Sequence, residues 1–385
     1  MKTCKKCVRA SGGNDLTVVN AKVFDSGSAR FIDGGIKVEN GIITALFGEE
    51  KSAKDGALDF CGDLLIPGLI DVHTHGREGY DFISASVEEL GELKRAYAAK
   101  GVTTVVPTLA SAAFDTMLDA LGRIREAGFR AAHIEGRYLD PDRRGAHDPE
   151  YLAPLDPDEI GLFAARAGEG MKLHFSAAFE HDLSGEFLNE IVRRGYTAGL
   201  AHTGASYEQA SELVKRGLRS FTHLFNAMPK IHHRAGGAVV AGLLSDAYTE
   251  IICDGFHLAP ETVKLVSKVK DPSKVVLITD SMEGTGCPDG HYSIAGSPVK
   301  LKDGRAYTED GAIAGSTLDL LGGVMDYAAF SGVPIENAII AATANPADML
   351  GLPGVGRILP GYHADLIRLS EGFEIKEVYI SGTKI

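Results

Sequence analysis

The sequence has no apolar run approaching the roughly 20 residues needed to cross a bilayer, which excludes an expected transmembrane helix. It has no basic excess. Lys and Arg number 39 against 52 Asp and Glu, and the net charge of −13 argues against nucleic acid as a partner. Any anionic substrate must therefore be met by a local cluster of Arg or Lys. Cysteine is scarce and its count is odd: Cys4, Cys7, Cys61, Cys253 and Cys287 are widely spaced and suggest no disulfide framework. Cys4-x-x-Cys7 has the spacing of half a metal site, but no second pair follows, so a reduced N-terminal segment is the expectation. No apolar core follows the basic start, Met1-Lys-Thr-Cys-Lys-Lys-Cys7, and a cytoplasmic location is expected.

What is present is organised around Leu64-Leu-Ile-Pro-Gly-Leu-Ile-Asp-Val-His-Thr-His-Gly76. Leu64–Ile70 reads as one buried strand, interrupted at Pro67-Gly68, that runs out into His73 and His75. A strand alternates faces with period 2, so the two imidazoles share a face. From there the chain repeats a strand followed by a helix. Strands are expected at Val102–Leu109, Phe129–Gly136, Met171–Phe179, Tyr196–Thr203, Phe221–Phe225, Glu250–Cys253 and Lys274–Thr279. Helical periodicity marks Ser86–Lys100, Ala113–Ala127, Asp156–Ala167, Gly185–Arg194, Tyr207–Arg216 and Pro260–Val269, with Gly101, Gly168, Gly195 and Gly217 where C-caps belong. Eight such units fit a (β/α)8 TIM barrel over 64–354. No Gly-x-Gly-x-x-Gly follows the first strand, which counts against a dinucleotide fold. The two ends, 1–63 and 355–385, carry short β patterns with turns such as Asn40-Gly41 and Ser381-Gly382. Neither end is long enough to bury a core alone, so they are expected to join in one small β-sandwich.

Chemistry in a TIM barrel sits at the C-terminal ends of the strands. Those ends read His73 and His75, Glu135, His202, His223, Asp254 with His257, and Asp280. Any one histidine fits a satisfied interior position, and Asp280 alone fits a helix N-cap. Together, imidazole and carboxylate are what zinc or a similar divalent ion takes. Three protein ligands with an open position make such a site catalytic, and an ionised Asp280 can accept a proton from water and return it to a leaving amine. His174, inside strand four, is expected in the barrel interior. Asp140, Asp142, Arg143 and Arg144 read as a solvated charged loop, and His232-His233 as surface or lid.

These residues resemble the amidohydrolase superfamily and, within it, the N-acetylglucosamine-6-phosphate deacetylase family. The matching stretches are His133-Ile-Glu-Gly136, Gly145-Ala-His147, Ala201-His-Thr203, Thr222-His-Leu-Phe-Asn-Ala-Met-Pro229, Asp254-Gly-Phe-His257, Thr279-Asp280 and Ala314-Gly-Ser316. The resemblance implies a deacetylase of amino-sugar catabolism that releases acetate from N-acetylglucosamine 6-phosphate and works as a homodimer. It implies Glu135, His202 and His223 as metal ligands and Asp280 as acid/base. Ala146 and His147 would meet the sugar, His147 holding the acetyl carbonyl. Asn226 and Ala227 would bind substrate, Arg234 the phosphate, and His257 the substrate, with Ile313, Ala314 and Gly315 around the N-acetyl group. The metal would be zinc, with iron, cobalt or manganese as alternatives, at one or two ions per chain. His73 and His75 raise the expectation to two, because a carboxylate such as Glu135 has two oxygens and bridges ions about 3.5–4 Å apart.

The chain departs from the family at Arg137-Tyr-Leu139, at Ala178-Phe-Glu180, after Arg234, and at Ser281-Met-Glu-Gly284. Dihydroorotase- and hydantoinase-type enzymes use a carboxylated lysine at the end of strand four, whereas Lys172 stands at the start of that strand. The same reaction on N-acetylgalactosamine 6-phosphate or an unphosphorylated N-acetyl sugar is the alternative substrate reading. A scaffold protein that has lost its site should lack ligands, and none is missing.

Overall fold

The computed structural model describes residues 14–48 and 56–385. Cys4 and Cys7 lie outside the described residues. Eight parallel strands form the central sheet: β1 (Leu69–Thr74), β2 (Val102–Leu109), β3 (Ala131–Glu135), β4 (Lys172–Ala177), β5 (Thr197–Leu200), β6 (Ser220–Phe221), β7 (Tyr248–Ile252) and β8 (Val275–Ile278). They stand side by side in chain order, the arrangement of a TIM barrel. The seam between β8 and β1 is closed at their C-terminal ends. Thr279 Oγ1 donates to Asp71 at 2.6 Å, the Asp280 N–H donates to the His73 carbonyl at 2.9 Å, and Thr74 pairs with Ser281.

Period 2 explains what each face of a strand carries. On β4, Leu173, Phe175 and Ala177 join the core shared with the outer helices, while His174 and Ser176 face the other way. On β3, Ala132 and Ile134 are outward and His133 and Glu135 alternate with them. The helices start and stop on local chemistry. Ser86 and Glu89 form a capping box on Val87–Ala99, and Ser206 and Gln209 do the same on Tyr207–Lys215. Gly101, Gly168, Gly195 and Gly217 all have positive φ just past their helices.

The chain ends build a separate eight-stranded sheet, in which Leu64–Pro67 pairs with both Leu16–Asp25 and Leu366–Leu369. It has its own apolar core, with Val18, Val23, Ile36, Leu65 and Leu366. This corrects the expected single strand Leu64–Ile70. Pro67-Gly68 is the crossing from one sheet to the other, and a Cβ on Gly68 would stand 2.0 Å from Thr103 Oγ1.

Further elements were not expected, among them the helices Leu320–Ser331, Ile335–Ala341 and Ala344–Leu350. After β8 the chain makes a three-stranded antiparallel sheet, Gly290–Ile294, Ser297–Lys302 and Arg305–Thr308, turning at Ala295-Gly296 and Asp303-Gly304. A helix, Gly237–Leu244, follows β6. Among the described residues no helix is long and apolar enough to cross a membrane.

Candidate active site

The strand ends converge on Glu135. Its Oε2 lies 3.0 Å from Nε2 of His73 and 3.0 Å from Nε2 of His75. Its Oε1 lies 3.0 Å from Nε2 of His223 and 3.4 Å from Nε2 of His202. One carboxylate thus stands between two histidine pairs. Asp280 Oδ1 completes the first group, 3.2 Å from His75 and 3.4 Å from His73. Two ligand clusters result, His73–His75–Glu135–Asp280 and Glu135–His202–His223.

Backbone strain aims these side chains. His202, His223 and Asp280 have φ of 44°, 32° and 51°. Such left-handed conformations cost about 1–3 kcal/mol each in non-glycine residues and gather at functional sites. Gly136 allows the turn after Glu135. Its φ is 153°, and an added Cβ would stand 2.4 Å from the Ser111 nitrogen.

The donor set fits a divalent metal ion. His202 Nδ1 donates to the Arg143 carbonyl at 2.8 Å, so its proton sits there and Nε2 is left as a ligand. The site also favours positive charge. Burial alone would lower His75, but its bonds to Asp280 and Glu135 outweigh that and raise it to about 9. Burial likewise opposes the charged form of His73, yet Glu135 and Asp280 hold it well above its usual value. Burial pushes Asp280 up, while His73 and His75 hold it down at about 2. Protons on these imidazoles do the work a cation would do, as expected of metal ligands.

A cavity of about 480 Å³ opens over the cluster. Ala146, His147, Asn226, Ala227, His257, Ile313 and Gly315 line it; Arg234 and Ala314 do not. Ala314 is buried against Met282 and Ile294. Arg234 is exposed, its guanidinium 2.7 Å from His233 Nε2. The arginines among the residues lining the cavity are Arg143 and Arg144, from the loop expected to be merely solvated; the Arg144 guanidinium donates to the His147 carbonyl at 2.9 Å. That loop is tied to the cluster through the Arg143 carbonyl and through Asp140, whose N–H donates to the His202 carbonyl at 3.0 Å.

His147 is set up as a neutral donor. The Ser111 N–H donates to its Nδ1 at 3.2 Å, which places the imidazole proton on Nε2. Burial, with repulsion from His202, lowers its pKa to about 3. Asp254 stands apart from the ligand clusters. It accepts from Nδ1 of His257 at 2.7 Å and from two backbone N–H groups, and so orients His257. His174 is buried beneath the cluster and takes no part in it. Arg137 and Tyr138, at a departure from the family pattern, both bond Glu159 of the following helix. Sequence reasoning missed Ser111, which carries no motif, and Ile294 and Ala312, which reach the cavity from the segment holding the inserted sheet.

Residues 64–385 match the model of the amidohydrolase family. The chain is 31% identical over 354 residues to the N-acetylglucosamine-6-phosphate deacetylase of Vibrio furnissii, covering 89% of this chain and 88% of that one. It is 30% identical over 360 residues to the N-acetylgalactosamine-6-phosphate deacetylase of Escherichia coli O157:H7, covering 91% and 94%. The crystal structure of N-acetylglucosamine-6-phosphate deacetylase from Thermotoga maritima matches with a TM-score of 0.87 at 30% identity, covering 96% of this chain and 99% of that one. A variant of the Mycobacterium smegmatis enzyme in complex with N-acetyl-D-glucosamine-6-phosphate matches with a TM-score of 0.90 at 28% identity, covering 97% and 99%. The chain belongs to the amidohydrolase family, in the branch of the N-acetylglucosamine-6-phosphate deacetylases.

Proposed function

We propose that this protein hydrolyses the N-acetyl group of N-acetylglucosamine 6-phosphate, giving glucosamine 6-phosphate and acetate in cytoplasmic amino-sugar catabolism. The observation that carries the reading is that Asp280 and His147 both stand beside the Glu135 cluster and line one cavity. Asp280 Oδ1 is 3.2 Å from His75, and His147 Nε2 is 3.9 Å from Glu135 Oε2. An amide needs its carbonyl polarised, a nucleophile activated and its amine protonated.

Glu135, His202 and His223 would hold one divalent ion, and His73 and His75 with Glu135 and Asp280 a second; zinc suits this donor set, as do iron, cobalt and manganese. Such ions supply Lewis acidity and a water acidic enough to attack near neutral pH. The chain's own groups do the rest. Asp280, ionised at neutral pH, takes the proton of the attacking water and gives it to the departing nitrogen. His147 donates from Nε2 to the acetyl oxygen as charge builds there. Ile313, Gly315, Asn226, Ala227 and His257 line the cavity, and the last three would meet the sugar phosphate. The working form is a homodimer, as the resemblance implies.

N-acetylgalactosamine 6-phosphate is the second reading, favoured by the 30% identity to the Escherichia coli deacetylase of that sugar. A turnover screen over N-acetylated sugars, with and without the 6-phosphate, decides between them. Highest kcat/KM on N-acetylglucosamine 6-phosphate is expected. Preference for the galacto sugar installs the second reading, and no acetate release from any member of the panel overturns both.

A further inference from the structure

β7 carries a carboxylate that this chemistry does not use. Glu250 is fully buried, and neither of its side-chain oxygens has a hydrogen-bond partner among the described residues. A buried carboxylate left unpaired is strongly destabilising, so a positive or proton-bearing group has to answer it. Two imidazoles face it. His174 Nε2 lies 3.7 Å from Oε1, and His73 Nδ1 lies 3.9 Å from Oε2. His174 is engaged on both nitrogens, with Nδ1 2.9 Å from Thr197 Oγ1 and Nε2 3.5 Å from Ser220 Oγ. His73 is engaged on one side only. Its Nε2 points at Glu135 and Asp280, while its buried Nδ1 has no hydrogen-bond partner. The Nδ1 atoms of His75 and His223 are also unpartnered, but only that of His73 has a carboxylate behind it among the described residues.

We propose that Glu250 is a positioning residue for the His73–His75 ion site: it holds the His73 proton on Nδ1, so that Nε2 faces the ion as a ligand. Ligating histidines commonly turn their other nitrogen to a carboxylate, which fixes ring and tautomer and raises basicity. The charge argument points the same way. Two divalent cations carry more charge than Glu135 and Asp280 neutralise, and Glu250 adds a third buried negative group directly behind one ligand. The effect belongs to one site. His202, in the other cluster, has its Nδ1 bonded to a backbone carbonyl instead.

The inference rests on the two-ion reading, and the test separates the two. The full chain is loaded with zinc, dialysed and analysed for zinc per chain, and both affinities are measured by competition with a chelator. In Glu250→Gln the zinc of the His73–His75 site, expected to be the weaker of the two because His202 is already locked in its ligand tautomer, should be held about 10–100-fold less tightly, with the tighter zinc unchanged. Metal-free Glu250→Gln should still unfold in one cooperative transition, so that the zinc affinities report on the site and not on a lost fold. If Glu250→Gln does not fold, Glu250→Ala is measured in its place. Two zinc ions in both proteins with equal affinities would sink the role of Glu250 and leave the two-ion reading standing. So would equal weakening of both ions, which would mark Glu250 as a structural residue. An unaltered protein that never exceeds one zinc per chain would sink both.

Discussion

The backbone N–H of Asp280 donates to the carbonyl of His73 at 2.9 Å, across the seam where β8 meets β1. The proposed proton carrier and the first histidine of the ligand set are therefore held on one hydrogen bond. Gly315 packs onto the same place, where an added Cβ would stand 2.8 Å from the Asp280 carbonyl oxygen. Closing the barrel and building the site are the same event at this point.

From this follows the expected behaviour of Asp280→Asn. Its backbone bonds are unchanged and its side chain keeps its shape, so it should fold. It should hold the Glu135–His202–His223 ion, yet lose at least ~10²-fold in turnover, the lower end for general acid–base catalysis. Near-normal turnover in a metal-loaded variant removes Asp280 from the proton path.

His147 should act as a neutral donor throughout the working pH range, because it is held at about 3. His147→Ala should lower kcat by about 10²-fold, the size of losing one donor to a developing oxyanion. The unaltered enzyme's rate profile should show no limb from this imidazole between pH 5 and 9. A kcat unchanged in the variant, with only KM raised, would limit His147 to binding.

Two arginine groups compete for the phosphate. Arg143 and Arg144 line the cavity, and Arg234 lies on an exposed loop outside it. Arginine's rigid fork suits phosphate oxygens. The combined change Arg143→Ala, Arg144→Ala should lower kcat/KM far more for a 6-phosphorylated sugar than for its unphosphorylated analogue. Phosphate-selective loss in Arg234→Ala alone would instead assign the anion to the exposed loop.

The metal-free protein should show a stability window above pH 6.5. His75 is raised from 6.5 to about 9. Below 6.5 the folded and unfolded chains both hold its proton, and the stabilisation is fully present. Between 6.5 and 9 only the folded chain holds it, so stability falls as pH rises. His147 and His174, held below their usual value, act only below 6.5. Thermal unfolding of chelator-stripped protein should thus show Tm falling from pH 6.5 to 9, with the slope reduced once metal displaces the proton. A flat metal-free profile would contradict the raised pKa.

Much of this was legible because period and chemistry coincide. The alternation that puts Leu173 and Phe175 outward fixes His174 inward, and His73 and His75 share a face for the same reason. What was illegible depends on contacts across the fold. Nothing local tells that Leu64–Pro67 pairs with Leu366–Leu369 while Leu69 begins the barrel; that choice is made by two sheets competing for one apolar run. Arg143 reads as solvent-facing until its carbonyl is seen bonded to His202. Glu250 begins the expected seventh strand, and only the closed barrel shows it buried between His73 and His174.

The number of ions follows from how Glu135 divides its oxygens. Oε2 serves His73 and His75, and Oε1 serves His202 and His223. A site for one ion needs one of these pairs, and the second pair would then be buried imidazoles without function. Glu135 and Asp280 raise both His73 and His75 against the effect of burial, so the structure favours positive charge at that pair. The Glu135–His202–His223 site should be the tighter, because His202 is already locked in its ligand tautomer by the Arg143 carbonyl. Elemental analysis after gentle purification should find more than one ion per chain. The double change His73→Ala, His75→Ala should bring that toward one and leave measurable deacetylase turnover. If the unaltered protein never exceeds one ion per chain with zinc in excess, Glu135 does not bridge, and His73 and His75 are structural.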